Sequence, residues 1–550
     1  MNKTVINAIL KKGNHILNKL NNDTLNAQEV NNNVLYKIIN YNKNTEYGKK
    51  YNYSKIHNVE DFINNVPLNT YMDFKCYIDK IYCGKKNILT KDDIAYFSRT
   101  SGTTGNQKFI PVTKNSRKCA KNYMGALTEV VIFNNLKSKW YYGKGVMLSD
   151  MVVKSKSENG IPIGAATSGG MKSIKNIIPL IWTTPMEVLE LEDKETALYL
   201  HILFALANKD LTYIGATFIS SILDFFRVME ENWNILIYDI GNGKVNENLN
   251  IDEAVRKKLN SYLIPMKIRA NKLRIEGSKG FKGIARRVWN HLMVITTVTG
   301  GPFKIYDDKV KYYIENVPIY SSAYAASECT IGINLCFIKP NYVIIPDSAF
   351  FEFIKVKDMD RDNIKTYMLS ELSIGEEYEI VITNKAGLYR YRMGDIVKVV
   401  GFYNNSPEVE FLYRKNQCLN MVSEKTTEEH INVAINNTMK KLNLEMIDYT
   451  TRPDNSRTPG RYIFYIELKV NKCSKLIIEN KLDSELKLSN KAYERFRDYN
   501  KLNKPKVILL STKSFEKIKL YMISKGTSKY QLKIPRVINK EEMIKFIENI

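Results

Sequence analysis

Nine consecutive residues, Thr100-Ser101-Gly102-Thr103-Thr104-Gly105-Asn106-Gln107-Lys108, combine the groups that hold a phosphate. The two glycines let the backbone approach a ligand closely. Hydroxyls and free N–H groups can cradle phosphate oxygens, and Lys108 adds a compact positive charge. The run is not a Walker A loop, because G-x-x-x-x-G-K-[ST] fails at the glycine spacing and at Phe109, the residue after the lysine. A flexible surface turn rich in Ser and Thr is the competing reading.

Two later clusters offer complementary chemistry. In Ser321-Ser322-Ala323-Tyr324-Ala325-Ala326-Ser327-Glu328, Tyr324 presents a flat face for a base and Ser327 a hydroxyl. Glu328 supplies a hard oxygen of the kind Mg²⁺ takes when it also holds phosphates. A buried structural tyrosine beside a surface glutamate would spell the same letters. In Tyr389-Arg390-Tyr391-Arg392-Met393-Gly394-Asp395, a turn glycine presents Asp395 beside two arginines. That carboxylate could accept paired hydrogen bonds from a ribose diol. An ion pair from Asp395 to Arg390 or Arg392 competes with it. Lys425 and Lys533 sit in polar, glycine-punctuated sequence, but neither stands out in so lysine-rich a chain.

The elements around these residues give them positions. Ile94–Ser98 reads as a strand entering the phosphate loop, and Asn115 or Ser116 is placed to cap a helix through Tyr123, Leu127 and Val131. Helical Trp182–Asn208, strand-like Thr212–Ile219 and helical Ile222–Asn232 repeat the alternation, which predicts an α/β sheet. Amphipathic helices are expected from Thr4 to Ile39. Strands are expected at Ile338–Ile345 and Tyr378–Thr383, where the chain turns β-rich. Beyond Arg414, apolar strands Tyr462–Leu468 and Val507–Ser511 among polar helices predict a smaller α+β domain. The expected division is 1–414 and 415–550.

At 550 residues the chain is too long for one core, and 44% hydrophobic with 25% charged residues excludes the disordered and collagen-like classes. The net charge of +24, from 82 Lys and Arg against 58 Asp and Glu, invites a polyanion. Lysine and asparagine are scattered throughout, however, which points to a chain-wide bias. The sharpest local excess is Arg256–Arg287, with eleven basic residues and one acid, Glu276. Its aromatics are too dispersed for a nucleic-acid module, so a solvated helix face is expected. Seven cysteines without a C-x-x-C pair and five histidines without H-E-x-x-H argue against disulfide frameworks, zinc clusters and metal hydrolases. The N-terminus has no apolar signal core, and no apolar run reaches the length of a membrane span. The expectation is a soluble cytoplasmic protein without membrane or nucleic-acid partners.

The order of the clusters carries a resemblance. Thr100–Lys108 resembles the phosphate loop of the adenylate-forming superfamily. Its continuation Phe109-Ile110-Pro111-Val112-Thr113 is similar to one branch, the Gretchen Hagen three-type acyl acid amido synthetases. Val66-Pro67-Leu68-x-x-Tyr71, Tyr324-Ala325-Ala326-Ser327-Glu328, Phe351-Glu352-Phe353, Tyr391-Arg392-Met393-Gly394-Asp395, Glu424-Lys425-Thr426-x-Glu428 and Gln531-x-Lys533-x-Pro535-Arg536 continue the series.

The resemblance implies an ATP- and Mg²⁺-dependent ligase that makes an acyl-adenylate and then an amide, usually with an amino acid. It implies that Thr100, Ser101, Gly102, Thr103, Thr104, Gly105 and Lys108 hold the ATP phosphates. Tyr324 would face adenine beside Ser327, Glu328 would bind Mg²⁺, and Asp395 the ribose. Arg414 would contact the ribose and mark the hinge of a mobile C-terminal lid, whose rotation brings Lys425 and Lys533 to the phosphate. Arg117 or Lys118, on the segment that lines the acyl pocket in this family, is the candidate for the acyl carboxylate, with Arg117 preferred. The loop has one residue fewer between Thr104 and Gly105 than the plant form, so no particular plant acyl substrate is implied. An acyl-CoA ligase would share the first half-reaction, and a nucleic-acid-binding protein is the remote alternative.

Overall fold

The computed structural model describes residues 3–99, 108–153, 155–172, 174–299, 306–359, 361, 363–415, 419, 421, 424, 426–470, 473–525, 532–538 and 540–550. Thr100–Gly105 of the expected phosphate loop, and Lys425, lie outside them. Among the described residues the strands form four sheets, and helices cover them in a mixed α/β architecture.

The parallel sheet pairs Val146–Leu148, Tyr213–Phe218, Val294–Val298 and Ile319–Tyr320 in that order. Parallel strands need crossovers, and helices Lys194–Ala207 and Ile219–Glu231 pack on this sheet as the alternation predicts. Every residue of the first helix from Thr196 to Leu206 is buried, so it is a core helix apolar on all sides. The helix expected over Trp182–Asn208 is two helices, Met186–Glu190 and Lys194–Ala207. Trp182 closes the preceding short helix Ile178–Ile181, and Asp193 opens the long one by accepting from the Glu195 and Thr196 N–H groups.

The strand Ile94–Arg99 runs into the 100–107 segment and pairs antiparallel with Phe109–Thr113 on its far side. The next helix starts one turn earlier than expected, because Thr113 is its cap and Ser116 its reciprocal partner. A π-helical turn, Lys121–Leu127, interrupts it before Thr128–Leu136. Such turns often occur at functional sites.

The largest sheet is antiparallel, in the order Phe350–Lys355, Glu377–Thr383, Tyr391–Tyr403, Ser406–Arg414, Asn341–Ile344, Thr330–Ile333, Ala323–Ala325. It brings two of the three motif clusters, 321–328 and 389–395, onto one surface. The 13-residue strand Tyr391–Tyr403 stays in register with its neighbours only through bulges, which re-aim side chains near its start.

Past Arg414, the three strands Met446–Asp454, Arg461–Leu468 and Lys506–Leu509 form a separate sheet. Along Arg461–Leu468 the side chains alternate between two cores. Tyr462, Phe464 and Ile466 face helices Glu428–Lys441 and Lys475–Ser489, whereas Ile463 and Tyr465 face Ser514–Ser524 and Glu541–Glu548. Burial on both faces explains the unbroken apolar run seen in sequence. Met446–Asp454 did not announce itself, because it carries Asp448, Thr450, Thr451, Arg452 and Pro453.

Candidate active site

Asp395 stands directly opposite Arg414 in the ladder between Tyr391–Tyr403 and Ser406–Arg414. Arg414 Nε donates to Asp395 Oδ1 at 2.6 Å and the Tyr324 hydroxyl donates to Oδ2 at 2.8 Å. The Asp395 side chain is only 3% exposed, so these donors, rather than water, satisfy its oxygens. Arg414 is drawn well above its usual pKa, first by Asp395, and its side chain remains 44% exposed. Gly394, with φ +74°, supplies the left-handed turn that presents Asp395.

Neither arginine beside Asp395 in sequence is its partner. Arg390 grips Glu352 through both Nε and Nη2 and donates through Nη1 to the carbonyls of Ile63 and Val66. Its φ of +44° is costly for a non-glycine residue, and this web of contacts holds it there. Arg392 pairs with Glu379. Both arginines therefore staple the strand. Asn69 does the same from the Val66–Tyr71 motif, exchanging backbone hydrogen bonds with Arg390 and Arg392.

Lys108, the last residue of the phosphate run, is aimed by two tyrosines that the sequence reading did not single out as site residues. Its Nζ reaches the Tyr391 hydroxyl at 3.4 Å and lies 5.5 Å from the Tyr71 ring centroid. The Tyr71 hydroxyl in turn accepts from the Phe109 N–H at 2.9 Å. Burial lowers the Lys108 pKa, while the charge of Glu328 opposes the shift. Glu328 is half-buried, which raises its carboxyl above the usual range against the pull of Arg414. Its carbonyl is fixed by Asn384 Nδ2 at 2.8 Å, and the Ser327 hydroxyl accepts from Ser98 at 3.0 Å.

Lys533 lies in the 532–538 segment, which runs beside the C-terminal sheet through the Thr451–Val537 bridge. Its Nζ lies 3.5 Å from Glu428 Oε2, and burial depresses its pKa, with Arg536 and Arg414 adding to the effect. Next to it, Arg536 Nη1 donates to Asp448 at 2.5 Å and Nη2 to the Tyr306 hydroxyl at 2.9 Å. Tyr306 in turn donates to Asp448 at 2.8 Å. Lys309 adds hydrogen bonds to the carbonyls of Met446 and Ile447.

Arg117 lies apart from this cluster. Nη1 donates to the Gly169 carbonyl at 2.6 Å and the guanidinium lies 4.7 Å from the Tyr96 ring centroid. A Cβ on residue 169 would sit 2.2 Å from Nη2, so glycine there admits the arginine. Burial lowers the Arg117 pKa. Nearby, Trp182, Ile178, Met151 and Leu189 form a buried apolar cluster, and Trp182 donates to the Tyr213 hydroxyl at 2.7 Å.

Among the described residues no group of three or more His, Cys, Asp or Glu side chains converges as a preformed metal cage. Glu328 is of the kind that fits Mg²⁺, which takes one or two carboxylates together with substrate phosphates.

A mixed α/β body that holds a buried carboxylate against an arginine is the form of an adenylate-forming enzyme. The fold is shared with 2-hydroxyisobutyryl-CoA ligase in its postadenylation state, with a TM-score of 0.53 over 94% of this chain and 90% of that one, at 10% identity. The chain belongs to the GH3 family: the family's N-terminal domain matches residues 16–319, its central domain 342–414 and its C-terminal domain 429–542. It is 30% identical to the 4-substituted benzoates-glutamate ligase GH3.12 of Arabidopsis thaliana, over 96% of this chain and 95% of that protein. It is 29% identical to the jasmonoyl–L-amino acid synthetase JAR4 of Nicotiana attenuata, over 94% and 92%. The GH3.15 acyl acid amido synthetase structure superposes with a TM-score of 0.86 at 28% identity, covering 97% of this chain and 95% of that one.

Proposed function

We propose that the protein activates a carboxylic acid with ATP as an acyl-adenylate, releases pyrophosphate, and transfers the acyl group to the amine of an amino acid. The observation that carries this reading is the buried Asp395, held between Tyr324 and Arg414, with Lys108 and Glu328 in the same electrostatic neighbourhood. The GH3 relatives named as acid–amino acid ligases support the choice of acceptor.

In the first step a substrate carboxylate oxygen attacks the α-phosphorus, and the bond to the bridging oxygen of pyrophosphate breaks with its electron pair. The nucleophile is already anionic, so positioning and charge neutralisation do most of the work. Thr100–Gly105 and Lys108 hold the phosphates, Tyr324 and Ser327 flank the adenine, and Asp395 with Arg414 takes the ribose diol. Glu328 holds Mg²⁺, which when bound screens the phosphate oxygens. Arg117, desolvated between the Gly169 carbonyl and the Tyr96 ring, is assigned to the acyl substrate.

In the second step the amine nitrogen attacks the acyl carbon, AMP departs, and the nitrogen loses a proton. Residues 415–550 act as a lid on a body of 1–414, and its rotation exchanges Lys425 and Lys533 at the phosphate. Support for a boundary at 414 comes from the end of the strand Ser406–Arg414 and of the central-domain match at that residue. We place the enzyme in the cytoplasm. The described cysteines Cys76, Cys83, Cys119, Cys329, Cys336 and Cys473 are free thiols, and no helix among the described residues is long and apolar enough to cross a membrane.

The test is ATP–pyrophosphate exchange across a panel of carboxylic acids, followed by acceptors offered to the active acids. Exchange with at least one acid, followed by an amide product with an amino acid, is expected. Turnover with coenzyme A and with no amine would replace this reading by that of an acyl-CoA ligase.

A further inference from the structure

Helices Trp233–Asn242 and Lys267–Ser278 pack against one another and run antiparallel. Gly277 sits where a Cβ would lie 2.0 Å from Trp233 Nε1, and at the other end Gly241 abuts Ala270. Their inner faces are buried through Trp233, Leu236 and Ile240 on one helix and Ala270 and Leu273 on the other.

The outer faces are apolar as well. Ile235 is 45% and Tyr238 70% exposed on the first helix, and Ile268 89% and Ile275 58% on the second. Ile268, Lys272 and Ile275 follow i, i+4, i+7 spacing and so form one line opposite the buried Ala270 and Leu273. A single exposed isoleucine is ordinary, but several on one helix pair mark an interaction surface.

The charge around them is one-sided. Of the eleven basic residues in Arg256–Arg287, three turn onto backbone carbonyls: Arg256 on Leu249, Arg269 on Leu206 and Val288, Arg287 on Glu276. The other eight, Lys267, Lys272, Arg274 and Lys279 among them, are exposed. The one carboxylate in that stretch, Glu276, has a side chain only 15% exposed and is paired with Lys279 and Arg287. Asp239 on the other helix is buried and accepts from the Tyr199 hydroxyl.

We propose that the outer face of this helix pair docks the protein onto an anionic lipid surface. Ile268 and Ile275 enter the headgroup–acyl boundary, the Tyr238 ring lies at headgroup level, and Lys267, Lys272 and Arg274 meet the lipid phosphates. The isoleucines protrude between lysines, which suits insertion into a fluid interface. A nucleic acid would call for exposed stacking aromatics along the basic face, whereas isoleucines dominate here. The sequence expectation of no membrane partner rested on the lack of a spanning segment, which surface docking does not require.

Vesicle flotation of the full chain tests the proposal, with phosphatidylcholine alone against phosphatidylcholine containing one-fifth phosphatidylserine. The wild type is expected to float with the anionic vesicles only, less so as salt rises. Lys267→Glu/Lys272→Glu/Arg274→Glu should weaken partitioning on the order of 100-fold, at about fivefold per basic residue. Ile268→Ser/Ile275→Ser, which changes no charge, should also release the protein. A charge-matched control, Lys11→Glu/Lys12→Glu/Lys37→Glu, reverses exposed lysines elsewhere and should float like the wild type. Unchanged melting temperatures confirm that the variants fold. The proposal is overturned if the wild type ignores anionic vesicles, if the control loses as much as the patch variant, or if the isoleucine variant floats normally. It is equally overturned if the patch variant loses only its retention of single-stranded RNA.

Discussion

Arg414 and Asp395 form an ion pair 19 residues apart in sequence, joined at 2.6 Å by the register of one hairpin. The arginine is the last residue of its strand, and the carboxylate is the group proposed to hold the ribose. One contact thus ties the proposed nucleotide site to the start of the proposed lid.

Arg414→Ala leaves the Asp395 carboxylate buried with Tyr324 as its remaining side-chain donor. The expected cost is about 1–2 kcal/mol, kept small because Arg414 is 44% exposed. The KM for ATP should rise with it. Arg414→Lys should recover only part of both effects, since an ammonium cannot reproduce the directed guanidinium donor. Thermal unfolding and initial-rate kinetics read the two quantities; an unchanged KM for ATP in the alanine variant would remove Arg414 from the nucleotide site.

Tyr324→Phe keeps the ring and deletes the hydroxyl that donates to Asp395 at 2.8 Å. A hydrogen bond to a buried charged acceptor is worth about 1.5–3 kcal/mol. The expected outcome is a melting temperature lower by several degrees and weaker ATP binding, while Tyr324→Leu loses the flat face as well and binds more weakly still. Equal ATP affinity in the two variants would show that the ring plays no part.

The sequence made the local elements legible and left the long-range pairings dark. The strand leading into residues 100–107 and the helix beyond it follow from residue spacing over a dozen positions. The partner of Asp395 does not, because Arg390 and Arg392 are nearer in sequence but are claimed by Glu352 and Glu379, both on other strands. Tyr71 and Tyr391 carried a family signature but no hint that together they aim Lys108. Met446–Asp454 was obscured by polar residues whose partners lie elsewhere in the chain. Thr450 and Thr451 donate to the carbonyls of Pro535 and Arg536, and Asp448 pairs with Arg536.

The Arg536–Asp448 ion pair lies within the proposed lid, and Tyr306 of the proposed body hydrogen-bonds to both partners. Arg536 and Asp448 are 2% and 4% exposed, so removing one partner strands a buried charge. Arg536→Met alone should cost about 3–5 kcal/mol, whereas Arg536→Met with Asp448→Leu should cost far less than the sum of the two single changes. A double-mutant cycle by denaturant unfolding measures the coupling. Simple additivity would mean that the two charges are screened from one another.

Glu129, on the helix Thr128–Leu136, is partly buried and burial pushes its carboxyl up to about 7. Between the usual 4.5 and 7 the folded chain keeps a proton that the unfolded chain has released, so stability falls as pH rises through that window. Below it both states are protonated and the full stability is present; above about 7 the loss is complete, at most about 3 kcal/mol for a shift of this size. Glu129→Gln cannot ionise and should show a smaller drop in melting temperature between pH 5 and pH 8, ending more stable than the wild type at pH 8. Parallel melting curves for the two proteins across that range would mean that water reaches the carboxylate and that burial does not govern it.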